Sequence, residues 1–166
     1  MAAGSTYTPI ATTTLGSAAA SVTFSSLGSY TDLVLIVAAQ PQTNNDALLL
    51  RFNGDTAGNY SYTALQGNGT AASSQRESNK TQGFRIANGF PNSTNYGLSI
   101  VSIMNYGNST TYKTAIARGN NAGTQTDAYV GLWRNTAAIT SIAIVPESLN
   151  TLLTGSTFTL YGIAAA

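Results

Sequence analysis

Apolar and polar residues alternate along most of this chain with a period of two. That repeat sends successive side chains to opposite faces of a sheet and leaves little room for a helix. Val22 and Phe24 share one face of SVTFSS, Leu48, Leu50 and Phe52 one face of ALLLRFN, and Tyr60, Tyr62 and Ala64 one face of NYSYTAL. The pattern continues through Leu98 to Met104, which reads as buried on both faces, and through Tyr112 to Ala117. It returns at Ala128 to Trp133, Ile139 to Val145 and Thr157 to Ile163. Between the runs stand Asn53-Gly54-Asp55, Gly67-Asn68-Gly69, Asn88-Gly89, Asn105-Tyr106-Gly107-Asn108 and Gly119-Asn120-Asn121, residues that accept positive φ and close turns. About ten short strands joined by such turns predict an all-β fold, an antiparallel β-sandwich of jelly-roll-like form.

At 166 residues the chain suits one domain, whose core needs neither disulfide nor structural metal. Residues 21–166 read as that single sandwich. Residues 1–20 contain Pro9, the Thr12-Thr13-Thr14 run and the small-residue segment from Gly16 to Ala20. They predict an extended N-terminal arm, with a first edge strand as the alternative. On the arm reading Tyr7, Pro9, Ile10 and Leu15 are the candidate interface residues, with which the segment would grip a neighbour. Residues 66–82, QGNGTAASSQRESNKTQ, predict an exposed loop.

Histidine and cysteine are absent, which excludes a thiolate nucleophile, a His-based triad, an imidazole base and the usual zinc and haem ligand sets. No catalytic, cofactor-binding or metal-ligating residue is assigned, no cofactor is expected, and the chain reads as a non-enzyme. Seven Lys/Arg against six Asp/Glu leave a net charge of +1. The cations Arg51, Arg76, Lys80, Arg85, Lys113, Arg118 and Arg134 are too scattered for a nucleic-acid surface. The longest apolar run, Leu33 to Ala39, is strand-sized, far below the roughly 18 residues that span a bilayer, so no membrane partner is expected. So small a charge gives little repulsion between copies and favours self-association through any exposed apolar or strand-edge surface.

Few side chains remain for chemistry. Asp46, Asp55, Glu77, Asp127 and Glu147 are formally available as the carboxylate pair of a glycosidase, but the sequence marks out no pair. Asn53, Asp55 and Asn59 read as a turn former rather than as calcium ligands. Gly67-Asn68-Gly69 lacks the helix on which a phosphate loop depends. Nine tyrosines and Trp133 complete the candidates. Strand-borne aromatics ordinarily fill a core or pair across strands, and Trp133 is carried forward as a candidate ligand-stacking residue because an indole face suits the C–H surface of a sugar.

Four segments are also familiar as a set: YTPIATTTLGSAAASVTFSSLGSYTDLVLIV (Tyr7 to Val37), LRFNGDTAGNYSYT (Leu50 to Thr63), GLWRNTAAITSIAI (Gly131 to Ile144) and GSTFTLYGI (Gly155 to Ile163). In style and order they resemble small structural proteins of tailed bacteriophages, including those of cyanobacteria. That resemblance implies a virion component, placed either on the outer capsid surface as a decoration (cement) protein or in the tail. A one-domain chain without heptads or fibrous repeats favours the compact decoration protein. The expected partners are further copies of itself, as a homo-oligomer and in one form a trimer, and the major capsid protein or another virion protein. The alternative is a tail-fibre or receptor-binding module that holds a host-surface glycan, with Trp133 as its stacking platform.

Overall fold

A computed structural model of the protein describes residues 6–91, 95–121 and 123–164. The described residues form strands and no helix. In chain order these are β1 (Tyr7–Thr14), β2 (Val22–Phe24), β3 (Asp32–Ala39), β4 (Asp46–Phe52), β5 (Tyr60–Gly67) and β6 (Ala72–Lys80). The second half adds β7 (Phe84–Phe90), β8 (Gly97–Ile103), β9 (Lys113–Asn121), β10 (Gln125–Trp133), β11 (Ile142–Pro146) and β12 (Thr157–Ile163). Eight of them make one sheet in the order β1-β12-β3-β8-β9-β10-β5-β6, and four make a second in the order β2-β11-β4-β7.

Every pairing is antiparallel, and four of them nest: β1 with β12, β2 with β11, β3 with β8, and β4 with β7. A nested ribbon rolled into two facing sheets is a jelly roll, so the all-β sandwich expected from the alternation is the fold observed. Two hairpins are inserted into this ribbon. β5–β6 falls between β4 and β7, and β9–β10 between β8 and β11; β10 pairs with β5 and β9 with β8, which widens one sheet from four strands to eight. The small sheet therefore covers only part of the large one.

Alternation decides what lies between the sheets. Leu33, Leu35 and Val37 of β3 and Phe158 and Leu160 of β12 are fully buried, as are Leu48, Leu50 and Phe52 of β4 and Ile142 and Ile144 of β11. Each such side chain contributes roughly 1.5–3 kcal/mol through loss of apolar surface to water. At one end Phe52 meets Phe84 and Trp133 edge-on with ring centres 5.6 Å apart, and Tyr60 lies nearly parallel to Trp133 at 6.5 Å.

Several local expectations are corrected. Residues 66–82 are not a loop: the chain turns at Asn68, whose Oδ1 accepts from the Thr70 and Ala71 amides, and returns as β6 along β5. β6 is an edge strand with most side chains in solvent, so neither face carries the apolar alternation that marks a strand. Leu98 to Met104 is not buried on both faces; Ser99, Val101 and Ile103 point inward, whereas Leu98 and Ser102 are exposed and Ile100 half-buried. Asn88-Gly89 does not end a strand but lies within β7, where Gly89 takes a φ of 70° and the pairing with β4 shifts register. A Cβ on Gly89 would stand 2.5 Å from Asn121 Nδ2 and 2.6 Å from Asn45 Oδ1, so the glycine serves a bulge and a close approach.

Candidate functional site

Trp133 closes β10 and is fully buried, with Tyr60 stacked on it and Phe52 packed edge-on. Its indole Nε1 donates to Asp55 Oδ2 at 2.7 Å. Asp55 sits in the turn after β4, whose Asn53 and Gly54 adopt positive φ, and it also accepts from Asn59 Nδ2 and the Ala57 amide, both at 2.8 Å. Burial pushes the Asp55 carboxyl up, but these donors together hold it below its ordinary value. Asn53 Oδ1 accepts from the Thr140 and Ser141 amides, tying the turn to the start of β11. Asn53, Asp55 and Asn59 thus lock a turn onto the core. The expectation of Trp133 as a stacking platform is corrected: an indole enclosed by two rings, with its N–H committed to a carboxylate, offers no face to a sugar.

A second cluster joins the edges of the two sheets. Arg85 on β7 donates through Nε and Nη2 to Glu147 Oε2, at 3.0 and 2.5 Å. Lys80 at the end of β6 lies 2.7 Å from Glu77 Oε2 and 3.8 Å from Glu147 Oε1. The Tyr62 hydroxyl donates to Glu77 Oε1 at 3.1 Å, and the Arg85 guanidinium rests 5.9 Å from the centre of the Tyr62 ring. Hydrogen bonding from Lys80, opposed by burial and aided by Tyr62, holds the Glu77 carboxyl below its ordinary value. Glycoside hydrolysis requires one carboxyl held protonated as the acid. Here Glu77 is biased toward the anion, and both glutamates are engaged with cations. The cluster is built to fasten β6 and β7 together.

The other carboxylates are also engaged. Asp32 accepts from the Asn105 amide, and Asp46 accepts from the Ser148 amide and hydroxyl. Asp127, buried on β10, accepts from the Asn88 amide through Oδ2, while Oδ1 has no partner among the described residues. Burial raises its pKa, offset in part by Asn88 and Gln125. Lys113 is buried at the start of β9 and donates to the Thr111 and Thr136 carbonyls at 2.7 and 3.0 Å; burial lowers its pKa. No group of three or more His, Cys, Asp or Glu that could hold a metal occurs among the described residues.

The four N-terminal candidates separate. β1 lies at the edge of the large sheet, with Tyr7 exposed and edge-on to Tyr161 at 6.3 Å, and with Pro9 exposed beside it. Ile10, the extra residue of a bulge against β12, and Leu15 pack on the core instead. Leu15 is further fixed by backbone bonds to Ser156 and Gly155. Two of the four are therefore available at the surface, and two are partly buried against the core.

What the sequence reading did not foresee is the outward face of the large sheet. Ile36 pairs with Ile100, Ile100 with Arg118, Arg118 with Ala128, and Ala128 with Leu65, so one row crosses five strands. The next row runs Val34, Ser102, Ile116, Val130 and Thr63. Ile36, Leu65, Leu98, Ile116 and Val130 are 39 to 64% exposed. A depression of about 680 Å³ lies over Val130, Leu132, Ser61, Thr63 and Arg76 on the same side. Threonine pairs Thr12–Thr159 and Thr14–Thr157 border the face on one flank, and Ser74 and Arg76 of β6 on the other. An apolar field with a polar border is the composition of a contact surface. The signal was present as apolar residues at outward positions of β3, β8, β9 and β10. Set beside known proteins, the chain matches no family model and no curated sequence.

Proposed function

We propose that this protein is a non-enzymatic structural component of a tailed-phage virion, a capsid decoration (cement) protein that oligomerises on the outer head surface and stabilises it. One observation carries the non-catalytic part: all six Asp/Glu of the chain accept hydrogen bonds or ion pairs that hold the sandwich together. With neither histidine nor cysteine present, few groups remain to act as acid, base or nucleophile. What the molecule offers its surroundings is a stiff, patterned surface. The resemblance of its segments to phage virion proteins supports a place in the virion, and a one-domain chain without heptads or fibrous repeats favours the head over a tail fibre.

Such a protein works by mass action. A subunit that binds only the assembled shell lowers the free energy of that state by RT ln(1 + [L]/Kd), and many equivalent sites add their contributions. Quantitative mass spectrometry and imaging of purified virions test the proposal. Copies in proportion to the head lattice, distributed around the head, are expected. A few copies confined to the tail, or turnover of a polysaccharide by the purified protein, would overturn it.

A further inference from the structure

Among the described residues much of the outer face of the large sheet is exposed, and we propose that a second copy of this chain covers it, face to face, in a two-fold dimer. The proposal rests on reading the protein as an assembling structural component and names the surface through which it assembles.

The two sheets treat their outward sides differently. On the small sheet the outward residues Leu49 and Val145 are buried by the chain itself. On the large sheet Val34 is buried as well, but Ile36, Leu98, Ile116, Val130 and Leu65 remain exposed. Singly exposed apolar residues need no explanation, but a connected field across five strands does.

A second copy is the occupant whose size and shape fit. Eight strands spaced about 4.8 Å and about 23 Å long present a face of roughly 900 Å², against about 800 Å² per partner in a specific interface. Sheets of the same twist pack aligned, crossing at about 30°, and a copy of this chain supplies an identical twist. A net charge of +1 sets no barrier between two copies. In the two rows that cross β3 to β5 the single charged residue is Arg118, a type enriched in interfaces; Asp32, outward at the start of β3, accepts from the Asn105 amide. The threonine pairs of β1 and β12 and the serines of β6 then form the wet border. Pairing of two identical faces is closed, so it gives a dimer or an assembly of dimers.

Sedimentation velocity and light scattering on the full chain test this, with Ile116→Asp and Val130→Asp as disrupting variants and Leu98→Asn with Leu65→Asn as a milder pair. All four sites are about half exposed or more, and circular dichroism checks that each variant folds. The expected result is a wild-type dimer, or an even-numbered assembly of dimers, that shifts at least tenfold toward monomer in the aspartate variants and less in the asparagine pair. A wild-type monomer at the highest soluble concentration, a trimer, or a dimer indifferent to both sets overturns the proposal. A monomer that still decorates heads removes this interface and leaves the virion assignment standing. A dimer that responds to the variants but is missing from virions supports the interface and removes the assignment.

Discussion

The Trp133 indole donates to Asp55 Oδ2 at 2.7 Å, joining the last residue of β10 to the turn that follows β4. These elements belong to different sheets, so the bond fastens one end of the sandwich across its core. Trp133→Phe keeps an aromatic ring between Phe52 and Tyr60 but removes the donor and part of the volume. A hydrogen bond to a charged group contributes about 1.5–3 kcal/mol, so a loss of about 2–3 kcal/mol is expected, read as a lower urea midpoint at unchanged slope. A midpoint within error of wild type would show that the bond contributes nothing. Because Trp133 is buried, any glycan affinity of the protein should be unaltered in this variant.

The same bond sets part of the acid sensitivity. Folding holds the Asp55 and Glu77 carboxyls below their ordinary values. The unfolded chain therefore takes up protons first as pH falls, and the stability these groups provide is complete above the unfolded pKa and lost through the folded one. Asp55→Asn should flatten the acid limb of a plot of stability against pH as pH falls through and below the ordinary carboxylate range, about pH 4. An acid limb identical to that of wild type would assign the sensitivity to other groups.

Asp127 has the opposite sign. Burial raises its pKa in the folded protein despite hydrogen bonds from Asn88 and Gln125, and Oδ1 has no partner among the described residues. Its contribution is complete below the unfolded pKa and declines as pH rises through the folded value. Asp127→Asn stays neutral and retains an oxygen for the Asn88 amide. The variant should match wild type near pH 4 and exceed it at pH 8 in thermal unfolding. A wild type equally stable at both values, unchanged by the substitution, would mean that the carboxyl ionises without consequence.

The strands with one apolar face were legible because burial on one side and water on the other imprint a period of two, as in Leu48, Leu50 and Phe52. β6 was not, since Ser73, Ser74, Gln75 and Arg76 repeat no apolar residue and the strand is held by its ladder to β5. Asn88-Gly89 carried a turn signal that the fold uses for a bulge, because positive φ serves both. The nested pairing of β1 with β12 joins residues at opposite ends of the chain, and periodicity contains no information about partners so distant. For Trp133 the sequence gives the strand but not what covers it; burial follows from the small sheet lying over that end. Leu98 and Ile100 misled in the reverse direction, because an apolar residue facing outward resembles one facing a second layer.

Glycine can be obligatory inside a strand for want of space. Gly131 on β10 lies beneath the Phe84 ring, and a Cβ there would come within 2.2 Å of it. Gly97 beneath Phe90 and Gly162 beneath Tyr30 repeat the arrangement at 2.3 Å. Phe84 is buried in the aromatic cluster and cannot swing into solvent. Gly131→Ala should therefore destabilise by about 1–3 kcal/mol, the usual cost of overpacking, despite the better strand propensity of alanine. A gain in stability would mean that the ring has room to move.

β1 provides the last test, since it is hydrogen-bonded to β12 from Tyr7 to Thr14 and packs Ile10, with Leu15 just beyond its end, against the core. Removing residues 1–15 deletes that ladder and leaves β12, with Thr157, Thr159 and Tyr161 on its outward face, as the new edge. Pro9 and the bulge at Ile10 currently keep the native edge irregular, as a guard against pairing with other chains. β12 shows no register shift in its ladder to β3 and contains no proline, so the truncated protein exposes a flatter edge. Loss of two partly buried apolar side chains and a ladder should lower stability by about 3 kcal/mol, with aggregation on warming seen by light scattering. A truncated chain that melts at the wild-type temperature and stays soluble would show that β1 is dispensable to the sandwich.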